Sequence, residues 1–244
     1  MKLSKYEIPG AAKVYRLTEP WKAELRSNTP VTEASSPDDI RHLVLDLSGS
    51  GISYIEGQSI GVVPPGLDAL GKPHKLRLYS ISSARRGDDQ LDSTVSLTVK
   101  RVVFPDERER EVRGVCSNHL CDLEPGDSVS ITGPIGRHFV LPEDDRTNLI
   151  MAAVGTGIAP FRAYLDHIYR ERGGWKGQAR LFMGAKTRAE LLYMNACNAD
   201  LSRFLSEETF KSFPSFSREK DQPKRYIQDR FAGQKDEIWP LLKE

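Results

Sequence analysis

The chain has 244 residues, of which 39% are hydrophobic and 28% are charged, and its formal net charge is +1. This composition is typical of a soluble globular protein, and the charge balance gives no reason to expect nucleic acid or an anionic membrane as partner. The length favours two domains, and no apolar run approaches the ~20 residues of a membrane span. Three scattered cysteines indicate a reducing compartment, and we expect no metal site.

Up to about residue 140, short strand-like runs alternate with turns that are rich in Gly and Pro. Regular short strands with such turns predict an antiparallel β-barrel or sandwich. The predicted strands include residues 42–47, 59–63, 95–100 and 128–132.

From Asn148 the pattern changes to alternating strands and helices. An almost continuous apolar run at 148–154 predicts a parallel strand that is buried on both faces. A helix at 161–172, a strand at 179–184, a helix at 189–204 and a strand at 211–216 follow. This order predicts a doubly wound α/β domain. We therefore expect a domain at 1–142, with 1–19 as an N-terminal extension, and a second domain at 143–244.

The segment 75–83 reads as a strand with polar side chains at alternate positions. Arg77 and Tyr79 would share one face, with Ser80 on the other. An Arg matches the oxygens of a diphosphate, and a Tyr can lie flat against a conjugated ring. A flavin dinucleotide has both groups, although the segment alone is equally compatible with an ordinary strand facing water.

Residues 114–123 predict a short helix in which Ser117 or Asn118 is the N-cap. The free N–H groups of such a helix can bind an anion. Taken alone, the segment is explained as well by a capped surface helix without a ligand.

Residues 155–162 lie between the buried strand and the following helix. The glycines allow a ligand to approach the backbone closely, and Pro160 suits a first helical turn. Such a turn directs its amides towards a diphosphate. The third spaced glycine of the common dinucleotide motif is absent.

Ser217 and Arg218, followed by Lys224 and Tyr226, come directly after the last predicted strand. Ligands of doubly wound sheets lie beyond the carboxyl ends of the strands. A hydroxyl, cations and a ring at this position suit a ribose 2′-phosphate with an adenine stacked above it. The alternative is a solvated basic loop, which competes most strongly for Lys220 and Arg225.

Together, in this order, these segments resemble those of plant-type ferredoxin–NADP⁺ reductases. The resemblance rests on Arg77-x-Tyr79-Ser80 and on residues 114–118, 155–162, 217–219 and 226–228, and it covers the chain from about Pro20 to its end. It implies an antiparallel β-barrel that binds FAD, followed by an α/β Rossmann-like domain that binds NADP(H).

The resemblance also implies roles for residues at the FAD site. Arg77 and Ser117 would hold the diphosphate, Tyr79 would stack on the isoalloxazine, and Ser80 would lie beside its reactive N5, which makes Tyr79 and Ser80 the candidate catalytic residues. Phe104 stands where the family often places a Tyr near the adenine. The further FAD contacts would be Leu78, Lys100, Gly114, Val115 and Cys116.

For NADP(H), the resemblance implies one site in two parts. The nicotinamide and diphosphate would contact Thr156, Gly157 and Pro160, and the 2′-phosphate would contact Ser217, Arg218, Lys224 and Tyr226. The family commonly has Gly-Thr where this chain has Ala153-Val154.

The activity implied is electron transfer between ferredoxin and NADP(H) through FAD. We expect ferredoxin, or flavodoxin, to dock on a basic face that includes Lys22, Lys72, Lys75, Arg85 and Arg86. The compartment that the resemblance implies is a plastid stroma or a bacterial cytoplasm.

Two alternatives stay open from the sequence: the reductase module of an oxygenase-type system with a different acceptor, and an inactive interaction module. The family continues with further strands and an aromatic residue that covers the flavin, whereas this sequence stops at Glu244. We therefore expect the nucleotide domain to be truncated, and the chain to bind FAD but to turn over NADPH slowly.

Overall fold

A computed structural model describes residues 13–220 and 222–243; the first twelve residues of the expected N-terminal extension lie outside the described residues. The described residues from 13 to 142 contain eight strands and one helix. They are β1 (Trp21–Pro30), β2 (Ile40–Asp46), β3 (Ser59–Val63), β4 (Arg77–Ser80), β5 (Thr94–Lys100), β6 (Val103–Pro105), β7 (Glu111–Arg113), α1 (Val115–Asp122) and β8 (Ser128–Ile135).

Six of these strands form one antiparallel sheet in the order β4-β3-β8-β1-β2-β5. An isolated bridge between Ile81 and Leu97 joins the segment after β4 to β5 and closes the sheet into a barrel. Alternate side chains such as Leu25, Leu43 and Ile131 point inwards and form the barrel core. The short strands β6 and β7 form a separate hairpin before α1.

The second part of the chain contains a three-stranded parallel sheet flanked by helices. Its elements are β9 (Leu149–Val154), α2 (Ala159–Asp166), β10 (Ala179–Ala185), β11 (Phe210–Phe216), α3 (Ile227–Gly233) and α4 (Lys235–Leu241). Short 3₁₀ turns lie at Gly155–Ile158, Arg188–Glu190 and Ser202–Ser206, and a π-helical turn, His167–Glu171, continues α2.

The sheet order is β11-β10-β9, with all pairs parallel. Helix α2 covers one face through Phe161 and Leu165. On the other face, the rings of Phe182 and Phe231 stack with their centroids 3.9 Å apart. An antiparallel barrel followed by an α/β domain is the predicted architecture, and it is confirmed. Within the described residues, every helix is too short or too polar to cross a bilayer.

The prediction of a helix at 189–204 is wrong. Tyr193 has a positive φ of 62°, which no α-helical residue adopts. The side-chain oxygen of Asn195 accepts hydrogen bonds from the backbone N–H groups of Cys197 and Asn198, at 3.0 and 2.9 Å. Asn side chains compete in this way with helical hydrogen bonding, and the segment folds into turns.

The two parts of the chain share a continuous interface. Val31 and Ile40 of the barrel belong to the same hydrophobic cluster as Leu191 and Tyr193 of the α/β part. The amide of Asn195 donates to the carbonyl oxygen of Val31 at 3.0 Å. The barrel therefore presents a defined surface to the sheet that follows it.

Candidate functional site

An open cavity of about 280 Å³ lies between β4 and the N-terminus of α1. Its lining comes from four separate places in the sequence. The lining residues are Pro64, His74, Lys75, Arg77, Tyr79, Val102, Gly114, Val115, Cys116 and Ser117.

Strand β4 contributes alternate side chains to this cavity. Arg77 and Tyr79 line it, whereas Leu78 and Ser80 between and after them do not. The antiparallel pairing of β4 with β3 holds this register. Arg77 donates to the carbonyl oxygens of Lys75 and Leu76, both at 3.2 Å. Among the described residues it has no ion pair, so its charge is available to an anion.

Tyr79 places a neutral, half-buried ring against the barrel core at the cavity wall. Burial, and then the hydrogen bond with Cys116, raise the pKa of Tyr79 well above its ordinary value. Burial also raises the pKa of the Cys116 thiol. Both groups therefore stay protonated near neutral pH, and the ring offers a flat surface for stacking.

Helix α1 begins at Gly114, which is its N-cap, so the predicted capping role of Ser117 or Asn118 is wrong. Both side chains instead hold the helix to the short segment between β5 and β6. The hydroxyl of Ser117 accepts from the Val102 N–H at 3.2 Å, and the Asn118 amide donates to the Val102 carbonyl at 2.8 Å. The first-turn amides of α1 have no capping side chain, which leaves them for an anion.

The packing around Gly114 is tight. A Cβ there would lie 2.9 Å from the Ser117 hydroxyl and 3.1 Å from the Cβ of Val102. A free guanidinium, a flat phenol ring and uncapped helix amides around one cavity fit a diphosphate joined to an aromatic ring system. The residues present therefore fit FAD.

Four of the predicted FAD contacts do not line the cavity. Leu78 and Ser80 are exposed outside this lining, and Phe104 is half-exposed on the β6–β7 hairpin. The Lys100 ammonium lies 2.7 Å from the carboxylate of Asp38 at the interface between the two parts of the chain. In turn, Pro64, His74 and Val102 line the cavity although they are not among the predicted FAD contacts. His74 directly precedes the segment 75–83, and Val102 lies between the predicted contacts Lys100 and Phe104; Pro64 has no such neighbour.

The Gly155–Ile158 turn connects β9 to α2, and Pro160 is the second residue of the helix. Gly155 has a φ of +53°, in the left-handed region that favours glycine. A Cβ at Gly155 or Gly157 would meet nothing within 4 Å, so the backbone here is open to a ligand. Thr156 lies between these two glycines and is partly exposed.

The four residues predicted for the 2′-phosphate lie beyond the carboxyl end of β11. The N–H groups of Ser217 and Arg218 donate to the carbonyl oxygens of Ala185 and Lys186, which ties this loop to the end of β10. The Lys224 ammonium lies 4.9 Å from the centroid of the Tyr226 ring.

Next to them is a second open cavity, of about 400 Å³, with three arginines in its lining. The sequence motifs include neither Arg188 nor Arg230, and Arg225 is equally compatible with a solvated loop. The lining residues are Arg188, Pro214, Ser215, Phe216, Gln222, Pro223, Arg225 and Arg230. This end of the sheet therefore carries a concentrated positive charge.

The residues predicted for a basic face differ in their surroundings. Lys72 and Lys75 are exposed beside the first cavity. Lys22 donates to the Ser130 hydroxyl at 2.7 Å. Arg85 pairs with the buried carboxylate of Glu56 at 2.7 Å, so its charge is partly balanced inside the protein.

Among the described residues, one group has metal-ligand geometry: Glu56, His167 and Glu171. Glu56 accepts hydrogen bonds from the backbone and the guanidinium of Arg85, and His167 bonds to Glu171 at 2.6 Å. These carboxylates have basic or N–H partners, and we interpret the group as an ion-pair network between the two parts of the chain.

Comparison with known proteins agrees with this geometry. Residues 22–139 match the family described as "Oxidoreductase FAD-binding domain", and residues 151–243 match the "Oxidoreductase NAD-binding domain". The chain thus has an FAD-binding domain followed by an NAD(P)-binding domain.

Relatives named ferredoxin–NADP reductase align with nearly the whole chain. The protein of Thermosynechococcus vestitus is 43% identical over 251 residues, which is 100% of this chain and 64% of that protein. The Spirulina protein is 42% identical over 99% of this chain and 83% of its own length. The chloroplastic leaf isozyme 2 of Oryza sativa subsp. indica is 43% identical over 250 residues, which is 100% of this chain and 68% of that protein. This chain therefore spans 64% to 83% of the length of these relatives, and less than two thirds of the first.

A solved structure of Plasmodium falciparum ferredoxin–NADP⁺ reductase with 2′P-AMP superimposes with a TM-score of 0.76 at 26% identity. The match covers 93% of this chain and 84% of the other. Together with the sequence matches, this places the chain in the ferredoxin–NADP reductase family.

Proposed function

We propose that this chain binds FAD and transfers electrons between ferredoxin and NADP(H). The observation that carries the proposal is the convergence of Arg77, Tyr79 and the uncapped start of α1 on one cavity. FAD, when bound, supplies a centre that exchanges single electrons on one side and a hydride on the other.

The residues of the chain then bind and orient the cofactor. Arg77 neutralises the diphosphate, and the first-turn amides of α1 around Ser117 donate hydrogen bonds to it. The Tyr79 ring lies against the flavin and keeps water from that face. Ser80 is proposed to contribute its hydroxyl near the edge of the ring, and Leu78, Lys100 and Phe104 are kept as outer contacts.

For NADP(H), we propose that the nicotinamide end lies at the open turn with Thr156, Gly157 and Pro160. The 2′-phosphate then binds at the end of β11, where Ser217, Arg218, Lys224 and Tyr226 supply a hydroxyl, two cations and a ring. Support comes from the concentrated positive charge at this end of the sheet and from the Plasmodium reductase, whose structure was solved with 2′P-AMP. The division of the chain at residues 142 and 143 is part of the same proposal.

Ferredoxin is the proposed one-electron partner, with flavodoxin as a substitute. The exposed cations Lys72 and Lys75 beside the flavin cavity support docking there, with Lys22, Arg85 and Arg86 at its margin. Relatives from chloroplasts and cyanobacteria support a photosynthetic setting, in a plastid stroma or a bacterial cytoplasm.

The test is to purify the 244-residue chain, record its visible spectrum with added FAD, and then assay NADPH-dependent reduction of ferricyanide and of ferredoxin. We expect a flavin spectrum that NADP⁺ perturbs, and reduction of both acceptors. A protein that stays colourless after incubation with FAD would contradict the proposal. Reduction of ferricyanide without any reduction of ferredoxin would instead favour a different physiological acceptor.

A further inference from the structure

A buried arginine of the nucleotide-binding domain reaches into the FAD-binding domain. Arg162 lies on α2, and only 6% of its side chain is exposed. Its Nη1 donates to the carbonyl oxygen of Ser82 at 2.8 Å and to the carboxylate of Asp88 at 2.9 Å. Both acceptors belong to the FAD-binding domain.

The rest of the guanidinium is held from within its own domain. Its Nη2 and Nε donate to one carboxylate oxygen of Asp200 at 2.6 and 3.2 Å. Its Cζ lies 5.0 Å from the centroid of the Tyr193 ring, a cation–π distance. Arg162 thus joins two acids and a backbone carbonyl that come from both sides of the interface.

Asp88 is in turn bound by the barrel. It accepts from His42 Nε2 at 2.6 Å, so His42 Nδ1 can accept from the Tyr193 hydroxyl at 2.9 Å. That hydroxyl also lies 2.6 Å from Thr98 Oγ1. Two residues of the nucleotide-binding domain, Arg162 and Tyr193, are therefore inserted among polar groups of the barrel.

We call the contacts of Arg162 with Ser82, Asp88 and Asp200 the joint. The joint affects the geometry of the interface more than the stability of the fold. A buried ion pair contributes little net stability, because its desolvation offsets much of the attraction, but its hydrogen bonds hold the partners in one arrangement. The groups joined here are close to both proposed sites: Ser82 is two residues after Ser80, and Arg162 is two residues after Pro160. The joint therefore links the strand at the flavin to the turn at the nicotinamide.

We infer that Arg162 is a positioning residue that sets the separation between β4 and the Gly155–Ile158 turn, and through it the alignment of flavin and nicotinamide. The inference rests on the proposed function. Hydride transfer depends steeply on this alignment, since a displacement of about 1 Å can cost about 100-fold in rate. The guanidinium suits the role because its planar fork reaches several acceptors at once, which the single ammonium of Lys does not.

The first test compares R162K with a matched control, R180K. Arg180 is equally buried, with 5% of its side chain exposed, and makes its hydrogen bonds to Glu237, Gln178 and backbone carbonyls of its own domain. In stopped-flow reduction of the bound flavin by NADPH, we expect R162K to be about 10- to 100-fold slower than the unmodified chain. KM for NADPH and the flavin content should change little, and R180K should keep the rate per bound flavin.

The second test does not use activity. Hydrogen exchange, followed by mass spectrometry on the nucleotide-free protein, should show faster exchange in R162K both at residues 80–83 and at 155–162. In R180K, exchange at 80–83 should match the unmodified chain. Faster exchange in R162K at 155–162 alone would show a role confined to α2 and would overturn the inference.

If R162K does not fold, D200N keeps the bonds of Arg162 to Ser82 and Asp88 and replaces the charged acceptor on the other side of the guanidinium by a neutral amide. We expect D200N to lose less of the rate of flavin reduction than R162K, with an unchanged KM for NADPH. If the unmodified chain reduces acceptors while R162K or D200N reduces its flavin as fast as R180K does, the inference about Arg162 is overturned and the proposed function stands. An unmodified chain with no flavin reduction would overturn the proposed function and this inference with it.

Discussion

Gly57 lies so close to Phe139 that a Cβ on Gly57 would be 1.6 Å from the Phe139 carbonyl oxygen. Gly57 also has a φ of +90°, in the left-handed region. The ring of Phe139 stacks on Tyr164 of α2 with centroids 5.9 Å apart. The glycine thus permits the barrel to bring an aromatic residue against the nucleotide-binding domain.

Gly57→Ala is expected to lower the free energy of unfolding by at least about 3 kcal/mol, because the backbone of residue 139 must move and the new side chain is strained. The measurement is urea unfolding followed by fluorescence. Gly49→Ala is the control, since Gly49 has a similar φ of +75° but nothing within 4 Å of the added Cβ. It should cost about 1 kcal/mol, from backbone strain alone. Equal losses for the two variants would contradict the steric argument.

Arg77→Gln should weaken FAD binding by about 10- to 100-fold, because a charged hydrogen bond to a phosphate contributes about 1.5–3 kcal/mol. Titration of the flavin-free protein with FAD, followed by flavin fluorescence, gives the Kd. Arg146→Gln is the control. Arg146 forms an exposed ion pair with Asp144 and is far in sequence from the residues that line the cavity, so this variant should bind FAD normally. An unchanged Kd for the Arg77 variant would remove this residue from the site.

The double change of Arg218 and Lys224 to Ala should raise KM for NADPH by about 10-fold or more and leave KM for NADH nearly unchanged. Only NADPH carries the 2′-phosphate with which these cations would pair. Steady-state ferricyanide reduction with both nucleotides measures the effect. Lys211→Ala serves as the control, because Lys211 pairs with Glu237 near the opposite end of β11. A parallel loss with NADH would argue for a structural effect.

Asp88→Asn should destabilise the protein most at neutral pH. Burial alone would raise the pKa of Asp88, but the charge of Arg162 and the hydrogen bond from His42 hold it well below its ordinary value. A carboxyl group with a depressed pKa stabilises the fold above its unfolded pKa of about 3.9, and this contribution is lost as the pH falls towards the folded pKa.

The difference in unfolding free energy between the unmodified chain and D88N should be about 3 kcal/mol or more at pH 7 and should narrow below about pH 4. Urea unfolding at several pH values between 3 and 7 measures it. Asp200 contacts the same guanidinium and also has a lowered pKa, so D200N should show the same narrowing. A difference that widens on acidification would contradict the assignment.

Raising the ionic strength from about 0.01 to 0.1 M should slow ferredoxin-dependent turnover more than ferricyanide reduction. Over this range the screening length falls from about 30 to about 10 Å, which weakens attraction between a basic face and an acidic partner. Lys75→Gln should reduce this salt dependence, while Lys176→Gln, an exposed pair with Asp145 in the other domain, should not. Equal salt effects on both acceptors would count against docking at Lys72 and Lys75.

Much of the fold could be read locally. The alternation of Arg77 and Tyr79 predicts one shared face, and both line the cavity. The apolar run before Gly155 predicts a parallel strand, and β9 pairs in parallel with β10. The predicted burial on both faces is wrong, because β9 is the edge strand of the sheet and its alternate residues Ala152 and Val154 are exposed. The confirmed features follow from side-chain periodicity and turn residues, which act over a few neighbouring positions.

Other features depended on contacts that no local pattern contains. Residues 189–204 have a helical composition, yet the Tyr193 hydroxyl binds groups 151 and 95 residues away, and the chain turns to reach them. Lys100 is the last residue of β5 and a predicted FAD contact, but its ammonium pairs with Asp38 at the interface between the two domains. At residues 189–204, tertiary contacts outweighed the helix propensity of the segment. At Lys100, the ion pair formed in the folded chain decided the position of the side chain, which the nearby motifs did not predict.

The sequence by itself determined the two domains, their order and the family, because periodicity, turn residues and short ordered motifs are local properties. Only the tertiary structure decided how the two halves are joined. The partners of Arg162 lie 80, 74 and 38 residues away, and a buried charge takes whichever acceptors the folded chain brings within hydrogen-bond distance.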